Sequence, residues 1–114
     1  MHLSRKAFDK LVEQAVQQLP RIFREKLTNI AIVVEDVPPP RLRRGAPLLG
    51  IFQGVPMTEK STFQTALPDR IVIYQKNIEA LCRTEKQMRR EIRLTLLHEL
   101  GHYFGLSEEE LEDV

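Results

Sequence analysis

The chain has 114 residues, 42% of them hydrophobic and 29% charged, with a net charge of +1. That length suits one domain, residues 1–114, able to bury a modest core without staples. The balanced charge gives no global field pointing to nucleic acid or an anionic membrane as a partner. A lone cysteine, Cys82, excludes an intrachain disulfide, and beside Ala80 and Leu81 it reads as a small buried hydrophobe. No apolar run follows the basic N-terminal residues and none is long enough to cross a bilayer, so the expectation is a cytoplasmic protein.

The first segment is helical by its spacing. Ser4 suits the N-cap, and Phe8, Leu11, Val12, Ala15 and Leu19 recur on one face. Pro20 interrupts that helix and fits the first turn of a short second one, with Ile22, Phe23 and Leu27 as its apolar positions. The period then changes. Ile30 to Val34 is a mostly β-branched run, the mark of a buried strand. Pro38, Pro39 and Pro40, with Arg41 to Gly45 behind them, require a loop. Leu48 to Gln53 is a second strand candidate, and its glycine and flanking prolines suit a sheet edge or a close backbone approach. A polar loop follows from Met57 to Asp69, and Arg70 to Gln75 reads as a third strand.

Ile78 to Cys82 fits one or two helical turns. Thr84 with Gln87 is a capping box that opens the longest helical pattern, Glu85 to Phe104. Met88, Ile92, Leu96, Leu100 and Tyr103 descend one face of it. Gly105 ends it, and Ser107 with Glu110 starts a last short helix. Strands mixed with helices at both ends make the fold α+β.

The chemistry lies in His98-Glu99-Leu100-Gly101-His102. Histidines four apart on a helix project from one face, one turn apart, so both imidazoles can bind a single Zn²⁺. Glu99 is adjacent around the helix and can act as general base on the attacking water. A lone histidine would be read as an ordinary surface residue; this triplet, late in a capped periodic helix, favours a metal site. A catalytic zinc needs a third protein ligand. With no further histidine nearby, that ligand is Cys82 or a carboxylate oxygen, and Glu108, Glu109, Glu110, Glu112 and Asp113 follow the helix. Gly105 can take positive φ and turn the chain back toward the metal, which makes Glu108 the best-placed candidate. The same acidic residues also suit the first turn of the following helix.

The run His98-Glu99-x-x-His102-x-x-Gly105-x-x-Glu108 resembles the HExxHxxGxxD pattern of the Asp-zincins, and the short chain resembles the bacterial mini-zincins, small zincin-like metallopeptidases. Leu49 to Pro56 and Arg70 to Tyr74 are similar to that family's strands. The resemblance implies a zincin-like fold, a small mixed sheet packed on helices with a long C-terminal metal-binding helix. It also implies zinc ligands at His98, His102 and position 108, with Glu99 as general base; Glu108 stands where the pattern has Asp. In that fold the strand before the last lines the cleft, antiparallel to its neighbours. Metzincins and gluzincins fit less well, for want of a third histidine and of a longer chain after His102.

The function expected is zinc-dependent hydrolysis of a peptide or protein substrate. Its rivals are a zinc-binding or scaffold protein that uses the fold without turnover, and a subunit whose site a partner completes. Arg41, Arg43 and Arg44, and Arg89, Arg90 and Arg93, could bind an acidic partner or peptide but read as solvated charge with local ion pairs. Tyr74 and Tyr103 could donate to a tetrahedral intermediate but read as core or rim aromatics. One test follows from the motif alone: Glu108→Ala should weaken zinc affinity far more than Glu109→Ala or Glu110→Ala. A larger loss in Glu109→Ala, measured by competition with a chelator, would place the third ligand in another register.

Overall fold

The computed structural model describes residues 1–43, 45–54 and 69–105. Its elements are α1 (Arg5–Gln17), α2 (Arg21–Lys26), β1 (Ile30–Glu35), β2 (Gly50–Gln53), β3 (Asp69–Tyr74), α3 (Gln75–Leu81) and α4 (Glu85–Tyr103), with 3-10 turns at Leu27–Asn29 and Pro40–Leu42. The fold is α+β, with a small mixed sheet, as expected of a zincin-like architecture.

Local chemistry sets the helix ends. The Ala7 N–H donates to Ser4 Oγ at 3.1 Å and starts α1. The Gln87 N–H donates to Thr84 Oγ1 at 3.1 Å, while the Arg83 N–H donates to Gln87 Oε1 at 2.7 Å, so the box that opens α4 reaches one residue further back than its usual form. At the other end Gly105 has φ of 74°, the left-handed geometry that a glycine after a helix supplies without strain.

The three described strands are ordered β1-β3-β2. β1 pairs with β3 in parallel, from Ile30 opposite Asp69 to Glu35 opposite Tyr74. β2 pairs with β3 antiparallel, from Gly50 opposite Ile73 to Gln53 opposite Arg70. β3 is therefore central, and Ile71, Val72, Ile73 and Tyr74 are each fully buried. Alternation sends Ile71 and Ile73 into the main core with Phe8, Leu11 and Ala15 of α1 and Ile92, Leu96 and Leu100 of α4. Burial of each such side chain is worth about 1.5–3 kcal/mol, so this layer between helices and sheet is the main source of stability.

Several sequence expectations need correction. The β1 run is not a buried strand. Among the described strands it stands at an edge, with Ala31 exposed and Ile32 to Val34 half-buried. Its β-branched residues reflect a preference for pleated backbone and for one packed face, not burial on both sides. Gln75 is not in the third strand but is the first residue of α3. Its amide is engaged by the N-terminal segment: Arg5 Nε donates to Gln75 Oε1 at 2.7 Å, and Gln75 Nε2 donates to the Leu3 carbonyl at 2.9 Å. The buried Glu79 completes this clasp by accepting from the Leu3 N–H at 2.7 Å. Ile22, expected on an apolar face, is 58% exposed. The helix expected from Ser107 lies outside the described residues.

Among the described strands β2 stands at an edge, as expected of Leu48 to Gln53, although the strand itself begins only at Gly50, and that glycine does more there than weaken a strand. A Cβ at this position would lie 2.7 Å from Thr95 Cγ2 of α4 and 2.9 Å from the Val72 carbonyl oxygen. Real Cβ atoms do not come that close to other atoms, so the missing side chain is what lets position 50 meet both the Thr95 methyl of α4 and the backbone of β3. Gly50→Ala should lower unfolding free energy by about 1–3 kcal/mol through overpacking, read from chemical denaturation. An unchanged midpoint would show that helix and strand are not in close contact.

Candidate metal centre

Seating α4 under β2 brings a second stripe of the helix into view. Glu91, Leu94, Thr95, His98, Glu99 and His102 lie on one helical stripe, each three or four residues from another member, and face a cleft of about 490 Å³. Ala46, Pro47, Leu48, Leu49 and Gly50 form the opposite wall. The sheet edge and the HExxH segment thus line one space. A hollow of similar size, about 500 Å³, lies between α1 and β1 beside Arg5, Asp9 and Glu13, but it holds no histidine. Chemistry, not volume, distinguishes the α4 cleft.

His98 and His102 are both exposed, with ring centroids 6.5 Å apart. Two imidazoles sharing one tetrahedral zinc at 2.0–2.1 Å from each nitrogen have centroids about 5 Å apart, so a modest ring rotation brings the pair to bonding geometry. His98 Nδ1 lies 3.1 Å from the Leu94 carbonyl oxygen. A carbonyl only accepts, so in the neutral ring Nδ1 carries the proton and the lone pair sits on Nε2. A histidine that donates its other ring N–H to a backbone carbonyl is oriented as metal-binding histidines are. On this donor chemistry, the two residues fit a zinc ion.

The Glu99 carboxylate is half-buried and oriented by the sheet. The Phe52 N–H donates to Glu99 Oε2 at 2.9 Å. The Tyr74 N–H donates to the Leu49 carbonyl at 2.9 Å, so alternate residues of β2 face β3 and those between, Gly50 and Phe52, turn their backbone groups to the cleft side. An aromatic cluster fixes the same junction. The Tyr103 ring lies 4.8 Å from that of Phe52 and 4.7 Å from that of Phe104, and Lys26 Nζ sits 4.2 Å above the Phe104 ring.

The structure brings His98, Glu99 and His102 together. Glu108 lies outside the described residues. Cys82, the other third-ligand candidate, is buried in the core and absent from the cleft wall, and burial raises its thiol pKa. Among the described residues, no third His, Cys, Asp or Glu joins the two histidines in a group that could hold a metal ion. Sequence reading missed two participants, the Phe52 N–H and Thr95. Backbone donors carry no sequence signature, but the glycine at 50 was a usable sign of close approach.

Tyr103 packs in the aromatic cluster, and Tyr74 lies on the face of β3 away from the main core, so Tyr74 does not serve the cleft. Among the described residues its buried hydroxyl has no hydrogen-bond partner. Burial, and then Glu35, hold its phenol above the ordinary 10.0, while Arg41 and Arg70 pull the other way. Stability from the neutral phenol is full below that ordinary value and is lost as pH rises through the higher folded pKa. Tyr74→Phe should therefore leave neutral-pH stability unchanged or raise it by up to about 1–3 kcal/mol, and blunt the alkaline loss. Melting curves from neutral to strongly alkaline pH check both; a clear destabilisation at neutral pH would reveal a partner for the hydroxyl.

No curated protein matches the chain. Among solved structures, a conserved hypothetical protein from T. thermophilus is similar, with 28% identity, a TM-score of 0.60, and coverage of 88% of this chain and 92% of that one. Among the described residues, no helix is long and apolar enough to cross a membrane. The family model described as zincin-like metallopeptidase matches residues 27–114. That span takes in all three described strands and the whole of α4, and on it the chain belongs to the zincin-like metallopeptidase family.

Proposed function

We propose that the protein is a zinc-dependent metallopeptidase, with His98 and His102 as two ligands, Glu108 as the third and Glu99 as general base. The observation that carries this is the meeting of the HExxH stripe with a sheet edge across one cleft, with the Glu99 carboxylate anchored on the Phe52 N–H. Bound zinc would polarise the scissile carbonyl and acidify the attacking water. Glu99 takes the water proton and delivers it to the leaving amine. The Phe52 N–H holds one carboxylate oxygen so that the side chain needs no reorientation during that transfer. A substrate strand lies along β2, using the cleft-side backbone groups of Gly50 and the Phe52 carbonyl, since the Phe52 N–H is engaged by Glu99. A cytoplasmic setting belongs to the same reading, supported by a single buried thiol that calls for no oxidising compartment.

The anchoring contact also favours a second reading. A carboxylate that ties helix to strand is useful to a zincin fold that binds metal without turnover. Glu99→Gln separates the two, because Gln can still accept from the Phe52 N–H but cannot take a proton. The zinc-loaded variant should keep its metal and its melting point while hydrolysis of a peptide library falls by about 10²–10⁴-fold. Absence of cleavage by zinc-loaded wild type across that library would support the non-catalytic reading or a site completed by a partner.

A further inference from the structure

On α4, away from the cleft, Lys86, Arg89, Arg90 and Arg93 fall at spacings of three, four and seven residues. They share a hollow of about 450 Å³ with Gln18 and Gln87, and among the described residues no carboxylate lines it. The sequence reading expected local ion pairs here. Among the described residues, none of these four cations makes one. Arg89 Nη1 instead donates to Gln14 Oε1 at 3.2 Å, which holds its guanidinium against α1. Lys86 faces Arg89 and Arg90, and Arg93 faces the same two, so every i,i+3 and i,i+4 pair within the set is a like-charge pair that destabilises the helix. Among the described residues, a chain of net charge +1 thus concentrates positive charge with no ion-pair partner in one concave place.

We infer that this hollow binds a small oligophosphate anion. Guanidinium forks each engage two oxygens, and tetrahedral phosphates can serve neighbouring forks at once, which a carboxylate cannot do as well. The volume is that of a small-molecule site. Among the described residues no aromatic or aliphatic side chain lines it, so they offer no platform for a nucleobase and no pocket for an apolar peptide side chain. Its lining shares no residue with the HExxH cleft, so the two sites are independent.

The test uses the full chain and inorganic tripolyphosphate, followed by calorimetry and thermal unfolding. Binding should be saturable, should weaken as sodium chloride is raised, and should lift the unfolding midpoint beyond sodium sulfate at equal ionic strength. K86Q/R90Q changes two exposed positions. It should raise the anion-free midpoint by relieving repulsion and weaken tripolyphosphate binding by about tenfold or more. Because tripolyphosphate also chelates zinc, the same titration on H98A/H102A must still show binding. A nucleoside triphosphate bound equally well identifies the phosphate chain as the whole determinant; tighter binding of the nucleotide would demand a base platform that the hollow lacks and would overturn the proposal. The proposal is overturned if tripolyphosphate acts no better than sulfate, if K86Q/R90Q binds it as wild type does, or if only an oligoglutamate peptide or duplex DNA binds.

Discussion

The geometry of this protein depends on how closely one helix can approach one strand. At Gly50 the β2 backbone and the Thr95 methyl of α4 come within a distance that no side chain at position 50 would permit. With that contact made, the Phe52 N–H reaches Glu99, the Phe52 ring reaches Tyr103, and the residues from Ala46 to Gly50 become a wall facing the two histidines. A wider separation would leave the same residues on the same elements and still lose the site, because a hydrogen bond and a ring contact both fade within an ångström or so.

α4 carries three kinds of work on three stripes. One, from Met88 through Ile92, Leu96 and Leu100, is fully buried and fixes the helix to α1 and β3. The second, from Glu91 to His102, faces the cleft. The third is the cationic set from Lys86 to Arg93. A helix so divided cannot rotate about its axis without exposing the first stripe, so the hydrophobic layer sets the direction in which the histidines point.

Much of this was legible in the sequence, for reasons that differ by element. The caps at Ser4 and Thr84, the periodicity of α1 and α4 and the glycine turn at Gly105 are local signals, and local chemistry decided them. Proline and glycine around β2 marked an edge because both disfavour interior strands. The edge position of β1 was not legible, since Ile30 to Val34 has the composition of a central strand and only the pairing order shows that β3 took the centre. Gln75 was misplaced because its partners, Arg5 and Leu3, lie some seventy residues earlier in the chain. The HExxH triplet was readable because helix geometry converts spacing into a shared face. The anchoring of Glu99 was not, because its partner is a backbone amide.

The N-terminal clasp has a consequence for how the chain assembles. Leu3 and Arg5 are held by Gln75 and Glu79, and Arg5 also donates to the Val34 carbonyl and to Asp36 at the end of β1. During synthesis from the N-terminus, α1 and β1 emerge long before α3, so the first residues must wait, unsecured, until the chain beyond Glu79 has left the ribosome. The parallel pairing of β1 with β3 waits on the same event, since β3 ends at Tyr74, immediately before α3. Closure of the sheet and capture of Leu3 and Arg5 therefore belong to one late step.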